Sequence, residues 1–396
     1  MPRDKLPDDL KELLELCRAG KLFQVQEWIA AGKRAAPPEG NFSITPFIAA
    51  IRRGFHSLVE VFLRAGVIHQ DEKDWGLGEA VSLQRLDLIE LLAEHGADPQ
   101  CVDFGDEVVW TRVPKIISWF IRHGADLETG YPIARAFRCR NRQFLGIYMG
   151  LRDKVPSARK QAAMALRYHC DKGNMKWVSL LLWAGADARM AVLDIEDPAC
   201  ITSEEDPDDS RSALEQAVWS GQTEVVKKIG LKPGIDDCSA LLAQATLFCR
   251  PEIFRVLLEA GADPNRGKNS RNTMRSLITS LAWHMNPPFG RSETGEILTC
   301  LELAAGRGGR WKADDFTMRS LRRAISKTHK ASDYEAIYVL RRLARSGALE
   351  RDTFLELVRT PSMRELLQSP TVGGAELRKL AGCTIRAPKR KGMRRR

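Results

Sequence analysis

The chain has 396 residues, of which 44% are hydrophobic and 28% charged, and 61 Lys and Arg against 51 Asp and Glu leave a net charge of +10. That composition is too apolar for a wholly disordered chain and too long for one hydrophobic core, which leaves several domains or a repeat array. No apolar run approaches the roughly 20 residues that span a bilayer, so no membrane partner is expected.

In chain order, the first segment, MPRDKLPDDLKELLELC, lacks the charged-then-apolar layout of a signal peptide. Asp8 and Asp9 stand where a helix cap is expected, with Glu12 placed for a capping box. Residues 44–66, ITPFIAAIRRGFHSLVEVFLRAG, then spell out a helical hairpin. Thr45 is a suitable N-cap, and Pro46 falls at the first helical position, where its missing N–H costs nothing. Ala49 and Ala50 keep the first helix thin, and Gly54 ends it by allowing a left-handed turn. Val59, Phe62 and Leu63 put one apolar face on the second helix, which Gly66 closes.

The same ending returns as Gly-Ala-Asp after LIELLAEH, IISWFIRH, VSLLLWA and FRVLLEA, at Gly96, Gly124, Gly185 and Gly261. The glycine suits a helix C-cap, where a side chain would strain the turn. The alanine is short enough to fit against the next unit, and the aspartate can hold nearby backbone amides. Glycines 32, 66, 96 and 124 lie 34, 30 and 28 residues apart. From Gly124 to Gly185 the interval is 61, which predicts an intervening unit, AFRCRNRQFLGIYMG, ending near Gly150. Weaker units follow: SALEQAVWSGQTEVVKKIG (212–230) with a Ser212–Glu215 capping box, TGEILTCLELAAGRGG (294–309), and YEAIYVLRRLARSGAL (334–349).

A period near the ~33 residues of an ankyrin repeat, the Thr45-Pro46-Phe47-Ile48-Ala49-Ala50 match to the ankyrin signature Thr-Pro-Leu-His-x-Ala, and the Gly-Ala-Asp closures together resemble an ankyrin-repeat protein. Ile48 stands where that signature has histidine. The resemblance covers about residues 8–350 and implies an all-α solenoid of roughly nine or ten stacked helix-turn-helix units. Another helical-hairpin array, HEAT-like or TPR-like, is the alternative. The expected layout is a solenoid over 1–350 with an acidic loop insertion at about 192–211, a helical cap over 351–382, and a disordered basic tail over 383–396.

Charge is unevenly spread. Residues 194–209 hold eight acids and no base, and the last eleven residues hold seven bases and no acid. Residues 135–160 carry eight bases against Asp153 alone, and 305–345 carry eleven against four acids. Such patches bear on partners rather than on fold. Asp206-x-Asp208-Asp209 lacks the glycine and the twelfth-position glutamate of a calcium loop. Gly76-Leu77-Gly78 and Gly306-Arg307-Gly308-Gly309 follow no predicted strand, so neither completes a phosphate-binding fingerprint. The seven histidines show no metal spacing, and His95 and His123 suit the negative end of a helix. The nine cysteines show no Cys-x-x-Cys pair and are expected as free thiols. Trp119, Trp177 and Trp183 fall in helical patterns and are expected to pack between units.

No cofactor, metal or catalytic set is expected. The resemblance implies a non-enzymatic scaffold or recognition subunit that binds protein partners through hairpin tips and first-helix faces. By match to the repeat, the tips include Gln70, Asp71, Lys73, Asp74, Asp103, Asp106, Asn265, Arg266, Lys268 and Arg271. The alternative is nucleic-acid binding through Arg138, Arg140 and Arg142, spaced along an expected helix, and through Lys389, Arg390, Lys391, Arg394, Arg395 and Arg396 of the tail. A monomer in the cytoplasm is expected, or in the nucleus if the host is a eukaryote, since the tail resembles a nuclear-import signal.

Overall fold

The structure, a computed structural model, describes residues 6–38, 44–195, 210–266, 272–285, 291–312, 314–331, 333–358 and 379. It is all-α, and among the described residues only isolated β-bridges occur. The chain divides into two compact units, Met1–Tyr168 with Leu180–Arg211, and His169–Ser179 with Ser212–Arg396.

The first unit begins with α1 (Asp8–Arg18) and α2 (Leu22–Ala30), then α3 (Pro46–Arg52) and α4 (His56–Arg64), and α5 (Gln70–Ser82) and α6 (Leu86–Glu94). First helices pack on first helices, α1 on α3 and α3 on α5, and second helices on second helices, α2 on α4 and α4 on α6. The Thr45 side chain accepts from the Ile48 N–H at 3.1 Å, and Pro46 occupies the first turn. Phe47, Ile48, Ala49, Ala50 and Ile51 are all buried, together with Val59, Phe62 and Leu63 of the partner helix. Phe47 and Phe62 meet edge to face, with ring centroids 5.9 Å apart. The expected cap on α1 does not form, because Pro7 takes the N-cap position and no side chain caps it.

In the next hairpin a run of short helical turns, Pro99–Cys101, Phe104–Val108 and Val109–Thr111, replaces a regular first helix and leads to α7 (Pro114–Arg122). Then come α8 (Pro132–Arg138) and α9 (Phe144–Leu151), followed by α10 (Ala158–Asp171) and α11 (Met175–Trp183), whose connected ends belong to the second unit. The intervening unit expected between Gly124 and Gly185 is therefore the α8–α9 hairpin. Gly150 does not close it: it lies within α9 and shows no positive φ.

The second unit continues with α12 (Ala213–Trp219) and α13 (Thr223–Ile229), α14 (Cys238–Gln244) and α15 (Pro251–Glu259), and α16 (Thr273–His284) and α17 (Arg291–Gly306). It closes with α18 (Asp315–Ala331), α19 (Asp333–Ser346) and α20 (Arg351–Val358). The Ser212–Glu215 capping box forms in both directions, at 3.1 and 2.8 Å. Again α12, α14, α16 and α18 pack in succession on one side, and α13, α15, α17 and α19 on the other. Described residues thus form ten helical hairpins followed by α20.

Each Gly-Ala-Asp closes its helix by the same bonds. The glycines have φ between +82° and +94°. The following alanine N–H turns back to the helix, Ala97 to the Leu92 carbonyl and Ala186 to the Leu181 carbonyl at 3.0 Å, and Ala125 to Phe120 and Ala262 to Leu257 at 3.1 Å. This is the Schellman closure, which satisfies a carbonyl the helix leaves unpaired. The aspartate Oδ1 accepts the N–H two residues on, from Gln100 and Asn265 at 2.9 Å and from Glu128 and Arg189 at 2.8 Å.

A second set of left-handed turns ends the first helices. Glycine supplies it at Gly20, Gly54, Gly173 and Gly221, but Gln84, Arg112, Arg140 and Cys249 occupy the equivalent places with φ of +57°, +56°, +58° and +46°. The hairpin frame is therefore more regular than the spacing of its glycines.

Candidate interaction surfaces

Several residues expected at hairpin tips fasten the frame. Gln70 to Asp74 form the first turn of α5 instead of a loop. The Gln70 amide donates to the Gly96 carbonyl at 2.7 Å, and Lys73 Nζ to the His95 carbonyl at 3.0 Å. Asp74 Oδ1 accepts from the Asp98 N–H at 2.8 Å and from Gln70 at 2.9 Å. Asn265 plays the part of Gln70 in its own hairpin, donating to the Gly308 carbonyl at 3.0 Å and accepting from the Arg310 N–H at 2.9 Å. Gln100 does the same for Gly124 at 2.7 Å. The side chain at the start of a hairpin thus satisfies a carbonyl left over at its end.

The other expected tips are more open. Asp103 caps the Asp106 N–H at 2.6 Å, while Asp106 pairs with Arg135 at 2.8 Å. Asp71 is exposed, and Arg266 keeps 67% of its side chain exposed beside Asp237 at 3.5 Å. Lys268 and Arg271 lie outside the described residues, as do the acids at 196–209 and the tail residues Lys389, Arg390, Lys391, Arg394, Arg395 and Arg396.

Arg138, Arg140 and Arg142 are all exposed, but they do not share a helix. Arg138 ends α8 and lies over the Tyr168 ring at 5.9 Å; Arg140 occupies the left-handed turn; Arg142 follows in the connection. The helix stops here because the Arg140 N–H bonds back to Phe137 at 2.9 Å and the Asn141 N–H to Ala136 at 3.0 Å.

Interhairpin polar bonds that the sequence does not announce hold the stack. Gln161 is fully buried; its Oε1 accepts from the Ile133 N–H at 2.8 Å and the Ala134 N–H at 3.3 Å. Its amide donates to the Leu127 carbonyl and the Ser157 hydroxyl, each at 2.7 Å. Arg85 donates to the Gly54 carbonyl at 3.3 Å, Arg112 to Cys139 at 3.2 Å, and Gln222 to Asp171 at 3.0 Å. Buried Glu72 is the costly member: burial raises its pKa, a bond to the Thr45 side chain offsets this in part, and Oε1 has no partner. His95 and His123 place Nδ1 at 3.0 and 2.8 Å from the carbonyls of Leu91 and Trp119, one turn back.

Large apolar side chains remain at the surface. Trp119 and Trp177 pack inside, each 4% exposed, but Trp183 is 70% exposed and does not pack between units. Trp110, Leu247, Phe248, Trp283 and Phe316 are also open to solvent. Among the described residues, no cluster of three or more His, Cys, Asp or Glu is placed to hold a metal ion, and no helix is long and apolar enough to cross a membrane.

No family model matches the chain, and no curated protein matches it. Among solved structures it is similar to the human ASB11 ankyrin repeat domain, at 15% identity over 73% of this chain and 96% of that one, with a TM-score of 0.21. It is also similar to an ankyrin repeat protein from Leishmania major, at 15% identity over 76% of this chain and 97% of that one, with a TM-score of 0.32. The chain's own turns show a Thr-Pro entry at Thr45-Pro46, a thin first helix there, and Schellman closures followed by an aspartate turn.

Proposed function

We propose that this chain is a non-enzymatic protein-interaction scaffold, or the recognition subunit of a larger assembly. The observation that carries it is the contrast between closed polar ends and open apolar side chains. Helix-end carbonyls are satisfied within the frame, while Trp110, Trp183, Trp283 and Phe316 stand more than half exposed. Exposed aromatic anchors of this kind are what protein interfaces bury. Asp71, Asp103, Asp106 and Arg266 add exposed polar groups at the hairpin tips, and Lys268 and Arg271 follow Arg266 in the sequence.

The test is affinity capture from the native host with quantitative mass spectrometry, comparing the wild-type chain with Trp110→Ala/Trp283→Ala and with Asp71→Lys/Arg266→Glu. Loss of the same partner set from at least one variant, with unchanged helical circular dichroism, is the expected outcome. Identical capture by all three proteins would remove the basis of this assignment.

A second reading, polyanion binding, is favoured by the joint exposure of Arg138, Arg140 and Arg142 around one turn. It expects oligonucleotide affinity that falls steeply between 50 and 200 mM salt and weakens when residues 386–396 are removed. Absence of binding at low salt eliminates it.

A further inference from the structure

Within the second unit, four first helices lie side by side, α12, α14, α16 and α18. Three of them end on large apolar residues. Trp219 is the last residue of α12, Leu247 and Phe248 follow α14, and Trp283 is the penultimate residue of α16. Leu247, Phe248 and Trp283 are 63%, 48% and 59% exposed. Trp219 meets Phe248 edge to face, centroids 5.2 Å apart and planes at 87°.

The fourth helix continues this row with charge. The Thr328 hydroxyl donates to the Met285 carbonyl at 3.1 Å, which sets Lys327 level with Trp283. Arg323 and Arg319 follow on the same exposed face of α18, and Phe316, 65% exposed, stands at its first turn. At four-residue intervals these cations are about 6 Å apart along the helix. Neighbouring arginines are paired, Arg275 with Asp314 at 3.0 Å, Arg322 with Glu356 at 2.8 Å and Arg342 with Glu302 at 2.5 Å. Among the described residues, Arg319, Arg323 and Lys327 enter no ion pair. Like charges at i, i+4 weaken a helix, so this stripe costs the fold something that an acidic partner would reverse.

We infer that this aromatic row and cationic stripe form one docking surface for an acidic, amphipathic helical segment of a protein partner. The inference rests on the scaffold reading and adds the surface and the partner's chemistry. Lys327, and Arg323 one turn below it on α18, meet carboxylates at one end of the segment, while apolar side chains further along it cover Trp283 and Phe248. Four helices at about 9 Å spacing present roughly 27 Å, the length of about 18 helical residues. The charge layout also fixes an orientation. Glu293 and Glu296 lie behind Phe248 with His284 and Arg250, Glu293 being 3.5 Å from His284. The acidic end of the ligand therefore lies over α18 and its apolar end over Phe248. The carboxylates of Glu293 and Glu296 at the Phe248 end would repel a phosphate backbone running the length of the row, which favours a protein segment over single-stranded nucleic acid.

The test uses the full chain and a phage-displayed library of random peptides of about 18 residues, with the selected peptides remade with a fluorescent label. The expected peptides carry Asp or Glu towards one end and Leu, Phe or Trp towards the other. Trp283→Ala weakens them at least about tenfold. Arg323→Glu/Lys327→Glu does the same at 50 mM salt and less at 500 mM. Both variants keep the wild-type circular dichroism and melting temperature. Selected peptides that ignore both variants sink this surface but leave the scaffold reading standing. Failure to select any peptide counts against both. Binding of a 20-nucleotide poly-dT strand that is lost in the same variants overturns the proposal in favour of nucleic acid.

Discussion

Replacing Arg140 by glycine should make the first unit more stable, although glycine usually weakens folded chains. Arg140 sits at φ +58° between α8 and α9, in the place that Gly54 holds between α3 and α4. A side chain in the left-handed region costs about 1–2 kcal/mol, which glycine avoids. Against this, glycine loses about 0.4–1 kcal/mol more backbone entropy on folding. The Arg140 side chain is exposed and makes no hydrogen bond among the described residues, so little else is lost. The balance is roughly 0.5–1 kcal/mol in favour of Arg140→Gly, or about 1–4 °C in melting temperature for a unit of this size.

Gln84 and Arg112 have the same backbone but donate to the carbonyls of Thr111 at 3.2 Å and Cys139 at 3.2 Å, so glycine there should be close to neutral. The reverse exchange, Gly54→Ala, places a Cβ 2.5 Å from Arg85 Nη1, whose bond to the Gly54 carbonyl must then give way. It should lose about 1–2 kcal/mol. Urea unfolding followed by circular dichroism measures all four, with the midpoint moving at constant slope. A lower midpoint for Arg140→Gly would refute the claim that a left-handed turn, whatever its residue, marks the end of each first helix.

Gln161→Leu should cost at least about 3 kcal/mol by the same assay, because the N–H groups of Ile133 and Ala134 and the Leu127 carbonyl lose their buried partner. A loss under 1 kcal/mol would show that this clamp does not hold the stack. Glu72→Gln should raise the melting temperature at pH 7. The folded pKa of Glu72 is raised by burial, so the fold binds its proton more tightly than the unfolded chain does, and stability falls as pH rises through the folded value. The gain should vanish below about pH 4, where both states are protonated; an equal gain at pH 3.5 would exclude the buried charge as its cause. The thiols of Cys17 and Cys170 are both pushed up to about 12 by burial. Iodoacetamide at pH 8 should leave them unmodified until urea unfolds the chain, as peptide mass spectrometry would report; fast labelling of the native protein would contradict their packing.

The second-helix ends were legible because glycine and the Gly-Ala-Asp triplet coincide with left-handed turns and Schellman bonds. The first-helix ends were half legible. Gly54 announces its turn, but Gln84, Arg112, Arg140 and Cys249 adopt the same geometry under neighbour packing, and no local propensity reveals it. That is why Arg138, Arg140 and Arg142 read as one helix, and why the unit expected to end near Gly150 instead carries that glycine inside α9. The α8–α9 hairpin closes through Asn141, whose amide donates to the Val109 carbonyl at 3.1 Å, a bond to the preceding hairpin that no short window contains. Trp183 has the same helical spacing as buried Trp177, yet it is the last residue of α11, where the apolar face has run out.

The tips raise a different physical point. A polar residue at the start of a repeat looks from sequence like solvated surface, but the last carbonyls of the preceding or enclosing hairpin need donors. Gln70 meets Gly96, Gln100 meets Gly124, and Asn265 meets Gly308, three distant places with one solution. Where such a side chain is replaced by one that cannot donate, an unpaired carbonyl remains, so these positions are constrained by the frame before any partner acts on them. On the proposed scaffold reading, partner recognition falls to residues whose removal leaves no backbone group unsatisfied, among them Asp71, Arg323 and Lys327. Introducing a charge at Gln70 or Asn265 would therefore mix lost folding with lost binding, whereas reversal at Arg323 and Lys327 reads binding alone.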